Sequence, residues 1–153
     1  MKKITREQVL VGMTTALRLL IGFLFLQASF DKILAPAKFA QVIYNYHILP
    51  VELVNLCAIF MPWFEAFIGI ALIFGIWVET VSLLMSLLTA GFTLLIISAI
   101  VRGLNIECGC FSLDEQGSLV GWKRVVEDLF ILAAGLIIFI SNFRRQKTNA
   151  RPE

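Results

Sequence analysis

An all-α, integral-membrane four-helix bundle with a short interfacial helix in its first outer loop is the fold this sequence predicts, on three observations. The 153 residues are 59% hydrophobic and only 16% charged, against about 45–50% and about 25% in an average soluble domain. The charges are missing from long stretches, and the polar residues gather in two loops and at the chain ends. The same composition excludes an ordinary soluble enzyme. With 13 Phe, 3 Trp and 2 Tyr the chain is also no disordered segment. A net charge of +2, with its charges scattered, leaves no nucleic-acid footprint. The length fits one domain, residues 1–153.

The first span covers residues 11–30, where Arg18 is the only charge. Its apolar run is too long for a signal-peptide core and carries that arginine, which argues against cleavage. The second span, 51–78, ends short of Glu79 and holds only Glu52 and Glu65; the third, 80–101, holds no charge. At ~1.5 Å per residue, about 20 residues cross the ~30 Å hydrocarbon core. Leu129–Phe143 provides only 15 uncharged residues. The fourth span therefore reaches back to Trp122, over 122–143, and draws Glu127 and Asp128 to the membrane edge or into the bundle.

Between the first two spans, Pro36 suits the first turn of a helix. Phe39, Val42, Ile43 and Tyr46 then recur at i, i+3, i+4 and i+7, one apolar stripe. The stripe predicts a short helix at the membrane surface, with Tyr44, Tyr46 and His47 near headgroup level; it equally suits a cap on the bundle. For orientation, the two ends carry Lys2, Lys3, Arg6, Arg144, Arg145, Lys147 and Arg151. The opposite side has Lys32, Lys38, Arg102, Lys123 and Arg124. Seven against five favours both termini in the cytoplasm of a bacterial-type inner membrane, with loops 31–50 and 102–121 outward.

The second outer loop reads Glu107-Cys108-Gly109-Cys110-Phe111-Ser112 and holds two of the three cysteines. On the outer side disulfides persist. Gly109 removes the side-chain obstacle to the sharp bend that a Cys-x-Cys ring demands, and a strained disulfide is easily reduced. A redox dithiol is the first reading. A soft-metal site for an ion such as Cu(I) is the second, and no metal ligands are assigned because no other Cys or His stands at ligand spacing in the loop. Two ordinary thiols or a loop clamp is the third. Arg102 would favour a thiolate here and Glu107 would oppose it. Cys57, roughly two turns into the second span, is either a resolving thiol or a small buried hydrophobe.

The charges within the spans are costly and so are paired or functional. Counted from the cytoplasmic side, Arg18 lies ~10 Å deep and Glu65 ~18 Å deep. In the third span Ser82, Ser86, Thr89 and Thr93 form one polar stripe at i, i+4, i+7 and i+11. Small residues on the faces of Arg18, Gly22 and Ser29 and of Ala58, Pro62, Glu65 and Gly69 let helices approach. These features predict an inward Arg18–Glu65 pair bordered by Ser86, Thr89 and Thr93, either fixing register or serving a proton or quinone role. Pro62 removes a backbone donor beside the acid and predicts a kink.

The order of these features resembles a known family. Arg18 and Gly22, Asp31-Lys32, Tyr46-His47-Ile48-Leu49-Pro50, Pro62-Trp63-Phe64-Glu65 with Gly69 and Gly75, and Arg102-Gly103 ahead of Cys108-Gly109-Cys110-Phe111 look like the methylamine-utilisation MauE family. That family sits within the wider DoxX-like group of four-helix membrane proteins. Ser112 departs from the glycine expected after the cysteine element. The resemblance implies a role in maturing exported disulfide-containing proteins, since MauE is associated with production of methylamine dehydrogenase, whose small subunit is rich in disulfides. Cys108 and Cys110 would then exchange electrons with a thioredoxin-like protein on the outer face, on behalf of an exported cysteine-containing client. A second exchange point is needed, and a membrane quinone is the candidate the setting offers, although no motif names it. The rival class is a non-enzymatic scaffold, solute carrier or metal-handling protein built around an Arg18–Glu65 core.

Overall fold

The computed structural model describes residues 6–104, 106 and 121–149, and among them every regular element is a helix. The helices are α1 (Arg6–Leu34), α2 (Pro36–Asn45), α3 (Val51–Phe74), α4 (Val78–Val101) and α5 (Trp122–Asn149). All but α2 are long and apolar enough to cross a membrane. Helix α1 runs beyond Phe30 because nothing stops it before Pro36, and it carries Asp31 and Lys32 into its last turn. Helix α3 continues through Pro62 as one element. It ends at Gly75, whose φ of 73° is the left-handed conformation a helix stop favours.

Neighbours in sequence are neighbours in space. α1 packs on α3, α3 on α4 and α4 on α5, and α5 closes the ring against α1. The inner core is built from Ile21, Phe25, Ile68, Ala71, Leu72, Val81, Met85 and Ile138. Outward-facing Phe23, Phe60, Trp63, Phe74, Trp77 and Phe130 are exposed, as a lipid-solvated surface requires. The α1–α3 crossing is backbone-close. A Cβ on Gly69 would lie 2.8 Å from the Gly22 carbonyl oxygen and 3.1 Å from the Leu26 nitrogen.

That crossing sets the register. With Gly69 between Gly22 and Leu26, the end of α1 at Leu34 lies level with about residue 60 of α3, about 12–15 Å short of α3's own start. Helix α2 fills the space above. Its buried Phe39 and Val42, with Tyr46, form a second cluster with Ala58 of α3 and Ala99 of α4. The stripe therefore faces the bundle, while Tyr44 and His47 face outward. Arg102 at the end of α4 donates to the Tyr46 carbonyl at 2.8 Å, tying α2 to the root of the following loop. Arg102→Ala is expected to speed amide hydrogen exchange in residues 36–46 several-fold and leave the four long helices unchanged, because a charge-assisted bond contributes about 1.5–3 kcal/mol.

Candidate polar site

Two charged side chains, from α1 and α3, meet inside the bundle. Lys32, in the last turn of α1, is 2% exposed and Glu65 of α3 is 4% exposed. The Lys32 Nζ donates to both Glu65 oxygens, at 2.8 Å to Oε1 and 2.6 Å to Oε2. The ammonium also faces the ring of Phe39 at 5.2 Å and that of Phe92 at 5.5 Å, where an aromatic quadrupole attracts a cation. The pair is thus shielded by α2 above and α4 beside it.

Sequence reasoning paired Glu65 with Arg18, and the structure replaces that partner with Lys32. Arg18 points elsewhere. Its guanidinium lies against the turn after α3, where a Cβ on Gly75 would be 2.9 Å from Nη1. The Gly22–Gly69 crossing explains the difference: it holds Arg18 level with the α3–α4 turn and leaves Lys32, read as a loop residue, level with the acid. Lys32 had one available signal. Phe25, Ser29 and Lys32 repeat at i, i+4 and i+7 on a helix with no breaker until Pro36.

On the opposite side of the ring, Ser82, Ser86, Thr89 and Thr93 are all buried along α4. Ser86 donates to the Ser82 carbonyl and Thr93 to the Thr89 carbonyl, each at 2.8 Å. Asp128 of α5 is 3% exposed, with its Oδ2 3.5 Å from Thr93 Oγ1. Glu127, one residue earlier, is turned outward and pairs with Arg124 and, at 4.0 Å, with Lys123. Two adjacent acids thus divide between the surface and the interior. A cavity of about 30 Å³ lies between Lys32, Glu65 and Asp128, lined also by Phe25, Thr89 and Phe92. It is large enough for water and is lined by groups able to bind it. Above it, burial, helped by the charge of Asp128, pushes the Tyr46 phenol up to about 12, so its proton stays in place at physiological pH.

Cys57 is a free, half-buried thiol near the start of α3. Glu107, Cys108 and Cys110 lie outside the described residues. The segment that carries them leaves α4 beside Arg102 and returns at Gly121, and its flanking Leu104 and Ile106 pack against the α2 cluster. Among the described residues no group of three His, Cys, Asp or Glu could hold a metal ion.

A family model described as methylamine utilisation protein MauE matches residues 10–141. The methylamine utilization protein MauE of Paracoccus denitrificans is 27% identical over 124 residues, covering 80% of this chain and 66% of that protein. The chain thus spans just under two thirds of that relative's length. No solved structure matches the chain.

Proposed function

The chain belongs to the MauE family of multi-pass membrane proteins, and from that premise we propose that it supports methylamine utilisation by thiol–disulfide exchange for exported proteins. The observation that carries this reading is where the described residues flanking Cys108-Gly109-Cys110 lie, Leu104 and Ile106 before it and Val125 after it. Leu104 and Ile106 pack on the α2 cluster, and Val125 near the start of α5 packs on Ile96 near the end of α4, so both flanks are at the end of the bundle capped by α2.

In the exchange, one loop thiolate attacks a sulfur of the disulfide in a thioredoxin-like partner. A mixed disulfide forms and the partner's other sulfur leaves as thiolate. The second loop thiolate displaces the partner, which departs as a dithiol with two electrons, and Cys108 and Cys110 close into a disulfide. A membrane quinol is the class of donor that would return the electron pair, leaving as quinone, and Cys57, near the start of α3, would relay it. Both termini lie in the cytoplasm of an inner membrane in this reading. The register supports that orientation. With Arg18 level with the inner turn and Lys32 buried, the basic residues divide eight to four in place of seven to five.

The buried polar cluster favours a second reading, a scaffold or small-solute carrier in which the loop thiols are idle. Trapping thiols in intact cells with a mass-shifting alkylator separates the two. The redox reading expects Cys108 and Cys110 to change state with growth conditions, and the double variant Cys108→Ser/Cys110→Ser to leave the thioredoxin-like partner oxidised and an exported client's native disulfide pairing, which the reduced partner would correct, at least tenfold depleted. Loop thiols that never change state, with a client that matures normally in the double variant, would return the bundle to the scaffold reading. An outward-only thiol reagent should label the reduced loop; failure to label it reverses the orientation.

A further inference from the structure

We propose that the α3–α4 turn carries a binding site for the phosphate of an anionic phospholipid, with the Arg18 guanidinium as its cation. The inference rests on the bundle spanning a bilayer and is independent of the loop cysteines. It starts from a charge without a partner. Among the described residues Arg18 makes no hydrogen bond or ion pair, and its Nε is buried with nothing to accept its proton. The acids nearby in the fold do not serve it. Glu65 is engaged by Lys32, and Glu79, in the first turn of α4, is in no ion pair among the described residues. An arginine within a membrane span is costly unless something answers its charge.

Packing holds the guanidinium at the turn. Its Nη1, Cζ and Nη2 lie 2.9, 3.2 and 3.2 Å from where a Cβ on Gly75 would be. Gly75 is the left-handed stop of α3, so the negative end of that helix draws the cation there without taking a hydrogen bond from it. The planar fork of five donors, which matches two oxygens of a phosphate, is left to an outside acceptor. The turn stands where such phosphates are. Helices α3 and α4 have 24 residues each, about 36 Å at helical rise, which carries the turn past a hydrocarbon core of about 30 Å. Trp77, on the turn, is 74% exposed, as an anchor at headgroup level is. Exposed Arg145, near the end of α5, adds positive charge to the same end of the bundle, and basic pockets between spans recruit anionic headgroups. Leu19, Leu20, Phe74 and Ile76 are exposed and apolar, a surface for acyl chains that a free phosphate ion would not use.

The test counts the lipids that the full chain retains. Native mass spectrometry of protein released from nanodiscs of equal parts phosphatidylglycerol and phosphatidylcholine is expected to show phosphatidylglycerol preferred by about fivefold, the attraction that one basic residue near the surface confers. Arg18→Gln should return the ratio to that of the nanodisc, and Arg145→Gln should keep most of the preference. An arginine that only caps α3 would instead lower the unfolding midpoint of Arg18→Gln and leave the lipid ratio as it was. Photo-cross-linking of the unmutated chain with phosphatidylglycerol carrying a headgroup diazirine keeps the test valid if Arg18→Gln fails to fold; the cross-links should fall on residues 14–19 and 74–78. Inorganic phosphate added to the nanodiscs should displace no lipid. The proposal is overturned by no preference for phosphatidylglycerol, by a preference that survives Arg18→Gln or is lost equally in Arg145→Gln, by cross-links confined to other parts of the chain, or by displacement of the lipid by inorganic phosphate.

Discussion

Lys32→Ala is expected to destabilise the bundle by about 3–5 kcal/mol, the usual cost of stranding one partner of a buried ion pair. Glu65 is 4% exposed and, among the described residues, its two oxygens accept from Lys32 alone. Without the ammonium, the carboxylate keeps its desolvation and loses its attraction. Glu65→Ala strands the lysine in the same way, though the rings of Phe39 and Phe92 retain part of the cation's stabilisation. The double replacement Lys32→Met/Glu65→Met removes both charges at similar volume and should recover most of the loss. Unfolding midpoints in mixed micelles check the series. Equal destabilisation by the single and double variants would mean that packing volume, not charge pairing, sets the effect.

Gly69→Leu is expected to separate α1 from α3 and to remove at least about 1–3 kcal/mol, the range for overpacking a close contact. The obstacle is main chain: a Cβ there meets the Gly22 carbonyl oxygen at 2.8 Å and the Leu26 nitrogen at 3.1 Å. Gly22→Leu should act alike, since its Cβ would meet the Gly69 carbonyl oxygen at 3.0 Å. Because this crossing brings Lys32 level with Glu65, its loss should also weaken the pair. A cycle combining Gly69→Leu with Lys32→Ala should therefore cost less than the sum of its parts by about 0.5 kcal/mol or more. Strict additivity would show that the crossing and the ion pair are independent.

What the sequence made legible follows from which quantities are local. Long uncharged runs predict membrane-length helices because burying a charge in hydrocarbon is costly. The 3.6-residue period put Ser82, Ser86, Thr89 and Thr93 on one face and Phe39, Val42 and Tyr46 on another, and each of those residues is buried. The partner of Glu65 was not local. It depended on how far α1 slides along α3, set by two glycines 47 positions apart in the chain, and no periodicity within either helix encodes such an offset. Depth counted from the cytoplasmic end of each predicted span gave Arg18; depth set by the crossing gave Lys32. Likewise nothing in the dipeptide Glu127-Asp128 says which acid turns inward. The adjacent face does: Val125, Asp128 and Ile138 are all buried at helical spacing, while Glu127 sits beside two basic residues.

The early end of α1 has a consequence for assembly order. A lone α1 offers Lys32 no acid on the face that it buries, Asp31 lying one residue round the helix, and the ten residues of α2 are too few to span a bilayer. Until α3 arrives, the economical position of α1 is residues 11–30 in the lipid with Lys32 at the surface. Docking of α3 supplies Glu65, and α3 with α4 supplies the surfaces that cover Phe39 and Val42. The burial of Lys32 is thus completed by later parts of the chain and not by α1 alone.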